Sequence, residues 1–471
     1  MATIGIRTSS VFSIGIAGPS RIAARYIPRK RLIPHGGIKL RRSISSLSGS
    51  QVNNLLPTLE DLGLQRGDNV TVAVSGGVDS ATTLRILREL PINLDVIFMR
   101  NWDPILSESS SPPSSNSNYS LSYNSSSRQN SGTAGVQSTC QWEKDWNDVQ
   151  LITKLVGISN DKVRLIDLSK EYWSRVFEPS INVWENGGTP NPDIDCNREI
   201  KFGALMEHLP RSERHFLATG HYGRVDHSSS STISKLMRAK DHTKDQTYYL
   251  SQMNESQLSR TILPLGNLTK STVRQLANYW NLPNANKEES MGVCFIGERG
   301  KFGDFISQYT APPTSQGHIV SPSGEILGDH KGLWYYTIGQ RAKIPNQLKP
   351  LFVAKKGVGE NNQDILVVPG QDHPLLQCKS VTTHKFHWIH GKYPTDLIGN
   401  DNDGKINIQV RHRMKPVQAK ISKPDQDGGV TVEFLEPLSG VSPGQVVAIW
   451  YANWCLGSGV IKDTQRLGEE S

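Results

Sequence analysis

The chain has 471 residues, 36% of them hydrophobic, and a mean hydropathy of −0.43. That length and composition can supply the cores of two or three domains. No apolar run approaches the ~20 residues that a helix needs to cross a bilayer, so the sequence excludes a membrane protein. Five cysteines without a CxxC pair predict neither a disulfide framework nor a structural zinc site, and any cysteine with a task is expected to be reactive.

The formal net charge of +8 is concentrated at the start of the chain. Residues 1–59 hold nine basic side chains and no acidic one, which leaves 43 basic residues against 44 acidic ones in the remainder. A leader that is rich in Arg and Ser, free of acids and broken by Gly and Pro is typical of organelle transit peptides. We expect a cleaved mitochondrial leader. A chloroplast or dual address is the alternative, and a disordered basic tail that binds RNA is the other interpretation.

Beyond the leader, apolar strands alternate with amphipathic helices, which predicts an α/β domain with a parallel sheet over residues 60–309. The clearest strands are residues 71–74, 94–99 and 163–168. Residues 104–139 interrupt this pattern with fourteen serines and only two charged residues. Because such a segment cannot bury enough apolar surface to fold, it is predicted to be a disordered insertion.

The chain changes character from about Gly317, where turn dipeptides separate short strands. Residues 310–374 are therefore predicted to form a small central linker domain. Past residue 375, segments such as NIQVRHRMKPVQAKI alternate apolar and polar residues between turn signals. This alternation predicts a small antiparallel β-barrel over residues 375–465.

The stretch VAVSGGVDSATTLRIL (72–87) joins the first strand to a helix. Backbone N–H groups at such a junction, together with the positive end of the helix, favour an anion. Gly76 and Gly77 allow the backbone to approach a ligand closely, and Ser75 and Ser80 add hydroxyl groups. The Walker pattern GxxxxGK[ST] is absent, so the loop lacks the lysine of an ordinary phosphate loop. For two glycines alone, a tight structural turn is the alternative interpretation.

As a whole, SGGVDS resembles the signature of the N-type ATP pyrophosphatases. The resemblance implies that the loop holds the pyrophosphate of ATP, that ATP is cut between its α and β phosphates, and that AMP is transferred to an oxygen of the substrate. That superfamily contains amide-forming synthetases as well as RNA-modifying enzymes. The loop therefore implies adenylation without identifying the substrate.

Five further stretches narrow the resemblance: FMRNWD (98–103), NPDIDCNREIKFG (191–203), ATGHYGRV (218–225), KDQTYYL (244–250) and GVCFIGE (292–298). Together they resemble the tRNA-specific 2-thiouridylases, and SMGVCFIGERGKF and HKGLWYYTIGQRA resemble the mitochondrial members. The resemblance runs from about Val70 to about Trp450. It implies ATP-dependent adenylation of O2 of the wobble uridine, followed by sulfur transfer from a cysteine persulfide. The implied partners are the tRNAs for Lys, Glu and Gln and a persulfide donor protein.

By the same resemblance, ten residues line the ATP site, and Asp79 helps to hold Mg²⁺ on the phosphates. A core role for Met99 and a helix-capping role for Asp79 are the plain alternatives. The ten residues are Ala73, Val74, Ser75, Gly76, Gly77, Val78, Asp79, Ser80, Met99 and Gly220.

The resemblance also assigns the sulfur chemistry to two cysteines. Cys294 would carry the persulfide, and Cys196 would attack it and close a transient Cys196–Cys294 disulfide. Cys196 is predicted to lie just before a helix, whose positive end favours a thiolate. Asp193 is the candidate general acid or base, with a loop cap as the alternative. An iron–sulfur cluster ligated by Asp193, Cys196 and Cys294 is an alternative use of the same residues.

The resemblance implies two groups of tRNA contacts. Asn191, Pro192 and Asp193 would contact the flipped target base. The remaining contacts would be His221, Lys244, Asp245, Gln246, Arg411, His412 and Gln445.

Two other functions stay open. An amide-forming ATP pyrophosphatase would share the SGGVDS loop but has no use for paired cysteines or a terminal barrel. A catalytically inactive tRNA-binding homologue would share the barrel but need not keep the loop and both cysteines.

Overall fold

The computed structural model of the chain describes residues 48–102, 141–212, 214–227, 233–289, 302–310, 317–398 and 404–469. The predicted insertion at 104–139 and residues 1–47 of the predicted leader lie outside these ranges. The end of the predicted leader contains the helix Gly49–Asn53, whose Val52 is buried in one cluster with Ile86 and Leu276. Residues 49–53 therefore belong to the folded part of the chain.

The described residues of the first domain form seven strands: β1 (Asn69–Ala73), β2 (Asn93–Arg100), β3 (Val163–Asp167), β4 (His215–Ala218), β5 (Arg224–Asp226), β6 (Lys235–Met237) and β7 (Thr261–Ile262). Five of them form a parallel sheet in the order β3-β2-β1-β4-β7, which confirms the predicted α/β fold. The chain moves from β1 outward to β3 and then returns to the other side of β1 at β4. The crevice between β1 and β4 is therefore the topological switch point, where open α/β sheets bind ligands.

Both faces of this sheet are covered, as a parallel sheet requires. Ile97 and Leu217 contribute to one core together with the helical residues between 168 and 209. Val72 and Val96 contribute to the opposite core, which includes residues of the helices Val78–Leu87 and Gln141–Val156. Within the described ranges, no helix combines the length and apolar character that crossing a membrane requires.

The other helical segments of this domain are mostly short, and two of them are π-helical turns inside longer helices. They are Glu60–Leu62, Asn160–Lys162, Ser169–Tyr172, Trp173–Phe177 (π), Glu178–Glu185, Pro192–Asp195, Cys196–Ala204 (π), Leu205–Glu207, Thr247–Leu250, Glu255–Leu258, Lys270–Tyr279 and Phe302–Ile306.

The central part of the chain forms a five-stranded sheet with its own core. Its strands are β8 (Gly317–Val320), β9 (Ile326–His330), β10 (Arg341–Ala342), β11 (Leu351–Val358) and β12 (Asp364–Pro369), in the order β10-β11-β12-β8-β9. Ile319, Val353 and Ile365 are buried in that core. Short 3₁₀ helices at Leu333–Tyr335 and Pro374–Leu376 complete this region.

The last part of the chain is a closed barrel. Its strands are β13 (Gln377–Thr383), β14 (His387–Trp388), β15 (Ile406–Gln409), β16 (Val417–Ile421), β17 (Thr431–Ser439), β18 (Val446–Tyr451) and β19 (Trp454–Arg466). Six of them follow the order β13-β17-β16-β15-β18-β19 with antiparallel pairing, and β19 pairs again with β13 to close the ring. The predicted antiparallel β-barrel is confirmed.

A hairpin of the first domain extends the sheet of the barrel, which the sequence did not predict. Strands β5 and β6 form the hairpin, and β6 pairs with β19 at Met237–Trp454 and Leu236–Cys455. Directly after β6, Arg238 lies over the ring of the fully buried Trp450, 3.9 Å from its centroid. Shared strand pairing and this buried contact join the first domain to the barrel.

Candidate active site

The loop after β1 has the geometry of an anion site. Gly76 has a φ of +75°, and a side chain there would meet the backbone oxygen of Asp145 at 3.0 Å, so glycine is required for both reasons. Gly77 occupies the N-cap of the helix Val78–Leu87 and offers no side chain to cap it. The backbone N–H groups of the first helical turn are therefore left to bind an anion.

Two serines hold the loop in its turn. The hydroxyl of Ser80 donates to the carbonyl oxygen of Gly77 at 3.1 Å and accepts the backbone N–H of Ser75 at 3.1 Å. The two hydroxyls lie 3.2 Å apart, and Ser75 is exposed. Ser80 thus has a structural role in the loop, while Ser75 remains accessible to a ligand.

Gly220 closes the crevice from the side of β4. A Cβ at this position would lie 2.8 Å from the backbone nitrogen of Ser80 and 3.0 Å from the carbonyl carbon of Asp79. Met99, near the end of β2, is partly buried against the core. The end of β1 is held to β2 by the backbone N–H of Val74, which donates to the carbonyl oxygen of Ile97 at 2.9 Å. The predicted ATP residues thus lie at the carboxyl ends of three adjacent strands.

We expect Gly220→Ala to lower kcat/KM for ATP by about 10²-fold, because the added methyl group would push the β4 loop away from the helix start. Steady-state kinetics with varied ATP checks this. Gly49→Ala is the matched control, since a Cβ there has its nearest neighbour at 3.7 Å. ATP kinetics of the Gly220→Ala variant equal to those of the Gly49→Ala variant would contradict the assignment of Gly220 to the nucleotide site.

The carboxylate of Asp79 is engaged by two partners. The ammonium of Lys270 lies 2.7 Å from both carboxylate oxygens, and the hydroxyl of Tyr222 donates to Oδ1 at 2.8 Å. Burial and the negative charge of Asp79 raise the pKa of Tyr222. A Mg²⁺ ion on Asp79 would have to displace Lys270, so in this arrangement the predicted metal role competes with an ion pair.

Three residues that sequence reasoning missed surround the same loop. Besides Lys270, Lys287 places its ammonium 3.3 Å from the carbonyl oxygen of Gly76, and the side-chain amide of Asn284 donates to that oxygen at 3.1 Å. Nothing in the sequence pattern marks these residues, because a single Lys or Asn about 200 positions from the loop carries no local signal.

The helix that carries Cys196 begins earlier than predicted. Asn191 is its N-cap, with Oδ1 accepting the N–H of Ile194 at 3.3 Å, and Pro192 occupies the first helical position. Cys196 therefore lies inside the helix, after its first turn, and is only 4% exposed. The prediction that Cys196 precedes the helix is wrong, and with it the argument that the helix end favours its thiolate.

Asp193 lies one helical turn before Cys196, so the two side chains share a face of the helix. Burial raises the pKa of Asp193, and the nearby Lys201 opposes that effect. Burial also raises the pKa of Asp195 to about 6, although Asp195 pairs with Arg198 at 2.9 Å. A carboxyl group with a raised pKa is suited to carrying a proton near neutral pH.

His221 connects this helix with the nucleotide crevice. Its Nδ1 lies 2.8 Å from the hydroxyl of Thr219, and its ring centroid is 5.7 Å from that of Phe202 on the Cys196 helix. Burial lowers the pKa of His221 well below its usual range, so the imidazole is neutral at pH 7. Because Gly220 contacts the phosphate loop and His221 contacts the Cys196 helix, the two candidate sites adjoin.

The side chains of the predicted tRNA contacts Lys244, Asp245 and Gln246 have partners within the protein. Lys244 pairs with Glu289 at 2.5 Å. The side chain of Asp245 is 8% exposed and accepts a hydrogen bond from Arg238 at 3.0 Å. The side-chain oxygen of Gln246 accepts the backbone N–H of Tyr222 at 2.9 Å. Of these three predicted tRNA contacts, Asp245 has a buried structural role in this conformation.

Of the three predicted contacts on the barrel, Arg411 is exposed, whereas His412 and Gln445 are partly buried. The ring of His412 packs against that of Tyr249, with centroids 4.4 Å apart and the planes tilted by 31°. Burial and the neighbouring Asp193 carboxylate raise the pKa of Tyr249 to about 12. Gln445 accepts the N–H of Ser442 at 3.1 Å. Tyr249 thus connects Asp193 with the barrel, a connection that sequence reasoning missed.

Cys294 and Cys140 lie outside the described residues. In the part of the chain that the structure describes, Cys196, Cys378 and Cys455 are buried free thiols. The same part contains no group of three His, Cys, Asp or Glu side chains arranged to hold a metal ion. Asp193 and Cys196 supply two of the three ligands predicted for an iron–sulfur cluster, so that cluster stays a prediction.

A parallel sheet with an uncapped, glycine-containing loop at its switch point defines a nucleotide-binding α/β domain. A family model described as tRNA methyl transferase HUP domain matches residues 68–125 and 121–298. A PRC-barrel domain model of the tRNA methyl transferase series matches residues 303–369, and an aminomethyltransferase beta-barrel domain model matches residues 378–461.

Curated relatives match most of the chain. The tRNA-specific 2-thiouridylase MnmA of Cupriavidus necator is 34% identical over 402 residues, which cover 84% of this chain and 99% of that protein. The tRNA-specific 2-thiouridylase MnmA of Burkholderia pseudomallei is 34% identical over 409 residues, which cover 85% and 95%. The chain belongs to the tRNA-specific 2-thiouridylase family.

Two solved structures are more distant. The NMN synthetase from Francisella tularensis covers 48% of this chain and 67% of its own at 12% identity and a TM-score of 0.26. The U34-tRNA thiolase NcsA from Methanococcus maripaludis, solved with its [4Fe-4S] cluster, covers 55% and 68% at 15% identity and a TM-score of 0.29. These scores are too low to carry an argument.

Proposed function

We propose that this protein is a tRNA 2-thiouridylase that replaces O2 of the wobble uridine with sulfur at the expense of ATP. One observation carries the proposal: Gly220 and His221, adjacent in sequence, contact the phosphate loop on one side and the Cys196 helix on the other. A nucleotide site and a thiol helix therefore meet at one edge of the sheet. Membership of the 2-thiouridylase family supports the substrate.

The first step makes the uracil oxygen a good leaving group. O2 attacks the α phosphorus of ATP, the bond to the β phosphate breaks, and pyrophosphate leaves. The N–H groups at the start of the helix Val78–Leu87 bind the phosphates, and the uncapped Gly77 leaves room for them. As O2 becomes esterified, N3 of uracil loses its proton, and Asp193 accepts it.

The second step delivers sulfur. Cys294 carries a persulfide loaded by a donor protein, and the Cys196 thiolate attacks the Cys294 sulfur, forming the Cys196–Cys294 disulfide and releasing sulfide. Hydrosulfide adds to C2 and AMP departs; the S–H proton passes to solvent as the C2=S bond forms, and Asp193 returns its proton to N3. In the alternative order, the persulfide adds to C2 first and Cys196 then resolves the mixed disulfide. Both orders leave the same disulfide, which two electrons and two protons from a thiol reductant restore.

The proton-transfer role of Asp193 predicts a characteristic pH profile. Activity should rise with pH through the pKa of Asp193, because only the carboxylate accepts the N3 proton, and burial places that pKa above the usual value for Asp. Asp193→Asn should lower kcat roughly 10²-fold and remove this rising limb. Initial rates measured between pH 4 and 8 check both effects. If the Asp193→Asn variant kept the rise of activity with pH, that rise would belong to another titrating group.

The proposal also assigns the tRNA-facing surface to the meeting point of the Cys196 helix and the barrel. Arg411 is exposed there, and the packed rings of Tyr249 and His412 lie beside Asp193. Phosphate contacts by basic side chains make binding sensitive to salt. The tRNAs for Lys, Glu and Gln are the proposed substrates.

The proposed cellular setting follows from the leader composition. We propose import into the mitochondrion, with the plastid or both organelles as the alternative, and removal of the leader on import. N-terminal sequencing of the mature protein from purified organelles tests this, because an intact Met1 would contradict cleavage.

One assay tests the proposed function against its alternatives. Purified protein is incubated with ATP, a persulfide donor and unmodified tRNA, and the nucleosides are analysed by mass spectrometry. Formation of 2-thiouridine together with AMP supports the proposal. ATP cleavage that depends on an amine substrate would favour an amide-forming synthetase, and tRNA binding without ATP cleavage would favour an inactive homologue.

A further inference from the structure

The phosphate loop lacks its own lysine, yet the fold brings two lysines to it from beyond β7. Lys270 begins the helix Lys270–Tyr279, and Lys287 lies in the segment that follows this helix. Lys270 contacts Asp79, in the first turn of the loop helix, and Lys287 contacts the carbonyl of Gly76 in the loop itself. Both ammonium groups therefore lie at the loop that would receive the triphosphate.

Lys270 occupies an electrostatically unfavourable position. It is the first residue of its helix, where the positive helix end disfavours a cation, and its side chain is only 11% exposed. Asp79 at 2.7 Å and Glu289 at 3.2 Å compensate this charge. A buried cation kept at such a position indicates a role beyond helix stability.

Lys287 is held in a similar way on another side of the loop. Asp145 at 2.9 Å and Asp148 at 2.7 Å, both on the helix Gln141–Val156, bind its ammonium. Burial alone would lower the pKa of Lys287, but its bonds to these two carboxylates have the larger effect. The pKa is therefore raised, and the side chain is charged at neutral pH. Asn284 donates to the same Gly76 carbonyl and fixes the segment against the loop.

We propose that Lys270 and Lys287 bind the β and γ phosphates of ATP and stabilise the departing pyrophosphate, in place of a lysine within the loop. The negative charge that develops on pyrophosphate during adenylation is then met by two cations. In the free protein, Asp79, Glu289, Asp145 and Asp148 hold these cations in place. This inference rests on the proposed function, since it concerns the ATP site of that reaction.

The test compares the affinity for ATP with that for adenosine, which lacks the phosphates. Isothermal titration of the full chain gives, for the parent, Lys270→Met and Lys287→Met, the dissociation constant of adenosine divided by that of ATP. We expect each variant to lower this ratio at least about tenfold, the effect of losing a hydrogen bond to a charged group, with adenosine affinity unchanged. Lys270→Arg retains the charge and should recover most of the ratio.

Lys240→Met is the matched control, because Lys240 is exposed in the same domain and its backbone N–H bonds to Gly266. This control should leave both affinities unchanged. A merely structural role for Lys270 would weaken ATP and adenosine binding equally, and that result would overturn the inference. If Lys270→Met does not fold, Lys287→Met, whose position is more exposed, allows the same comparison of ATP and adenosine binding.

Pyrophosphate release in a single turnover separates this inference from the proposed function. A parent chain that forms 2-thiouridine, with variants that release pyrophosphate at the parent rate, would overturn the inference alone. A parent chain that neither binds ATP nor releases pyrophosphate would overturn both. Slower pyrophosphate release in both lysine variants, with tRNA binding unchanged, supports the inference.

Discussion

The Cys196→Ser variant is expected to form no detectable 2-thiouridine, a loss of roughly 10³-fold or more, while still releasing pyrophosphate in a single turnover. The hydroxyl of serine cannot exchange with a persulfide, whereas adenylation uses the phosphate loop and Asp193 and needs no thiol at this position. Mass spectrometry of tRNA nucleosides measures the first outcome, and a pyrophosphate assay measures the second.

The barrel offers a matched control for this substitution. Cys378 is also a buried free cysteine, and its thiol donates to the carbonyl of Ser380 at 3.2 Å, as a serine hydroxyl can do. Burial raises the pKa of Cys378 to about 11, so it is a thiol at neutral pH. Cys378→Ser should keep its thiolation activity. Full thiolation activity of the Cys196→Ser variant would show that Cys196 takes no part in the sulfur transfer.

Replacing Arg238 with methionine is expected to lower the free energy of unfolding by about 3 kcal/mol or more. The side chains of Arg238 and Asp245 are each 8% exposed and lie 3.0 Å apart, so the substitution leaves the Asp245 carboxylate buried without its cation. Arg238 also donates to Gln409 at 3.0 Å and packs on Trp450, which are both barrel residues. Urea denaturation measures the change.

An exposed ion pair supplies the comparison. Lys355 and Glu469 lie 3.6 Å apart and Lys355 is largely exposed, so Lys355→Met should cost less than about 1 kcal/mol. Combining Arg238→Met with Asp245→Asn should cost less than the two single changes together, because the unpaired charge is removed. Equal effects of Arg238→Met and Lys355→Met would show that the buried network does not stabilise the junction between hairpin and barrel.

Local sequence patterns were reliable where local physics decides the structure. The alternation of strands and helices predicted the parallel sheet, and the predicted strand at 163–168 differs by one residue from Val163–Asp167. The start of the Cys196 helix was missed, although the sequence contains its signal. Asn191 followed by Pro192 is a capping pattern, but a run of Asn, Pro and Asp is equally typical of a loop, so the local signal does not choose between the two.

The nucleotide loop could be identified from the sequence, but the lysines around it could not. The glycines of SGGVDS stand next to each other in the sequence, and their backbone requirements are local, so the loop could be identified directly. Lys270 and Lys287 reach the loop only because the chain passes through β4, β5, β6 and β7 before it returns. No periodicity or spacing links residues that the fold alone brings together.

The sequence by itself determined the α/β domain, the phosphate loop and the terminal barrel, because turn residues and the periods of apolar side chains act over a few positions. Only the tertiary structure decided that the hairpin β5–β6 continues the sheet of the barrel, that Asp245 is buried against Arg238, and that two distant lysines reach the loop. These features depend on contacts between residues far apart in sequence, which form when elements pack and which leave no local pattern.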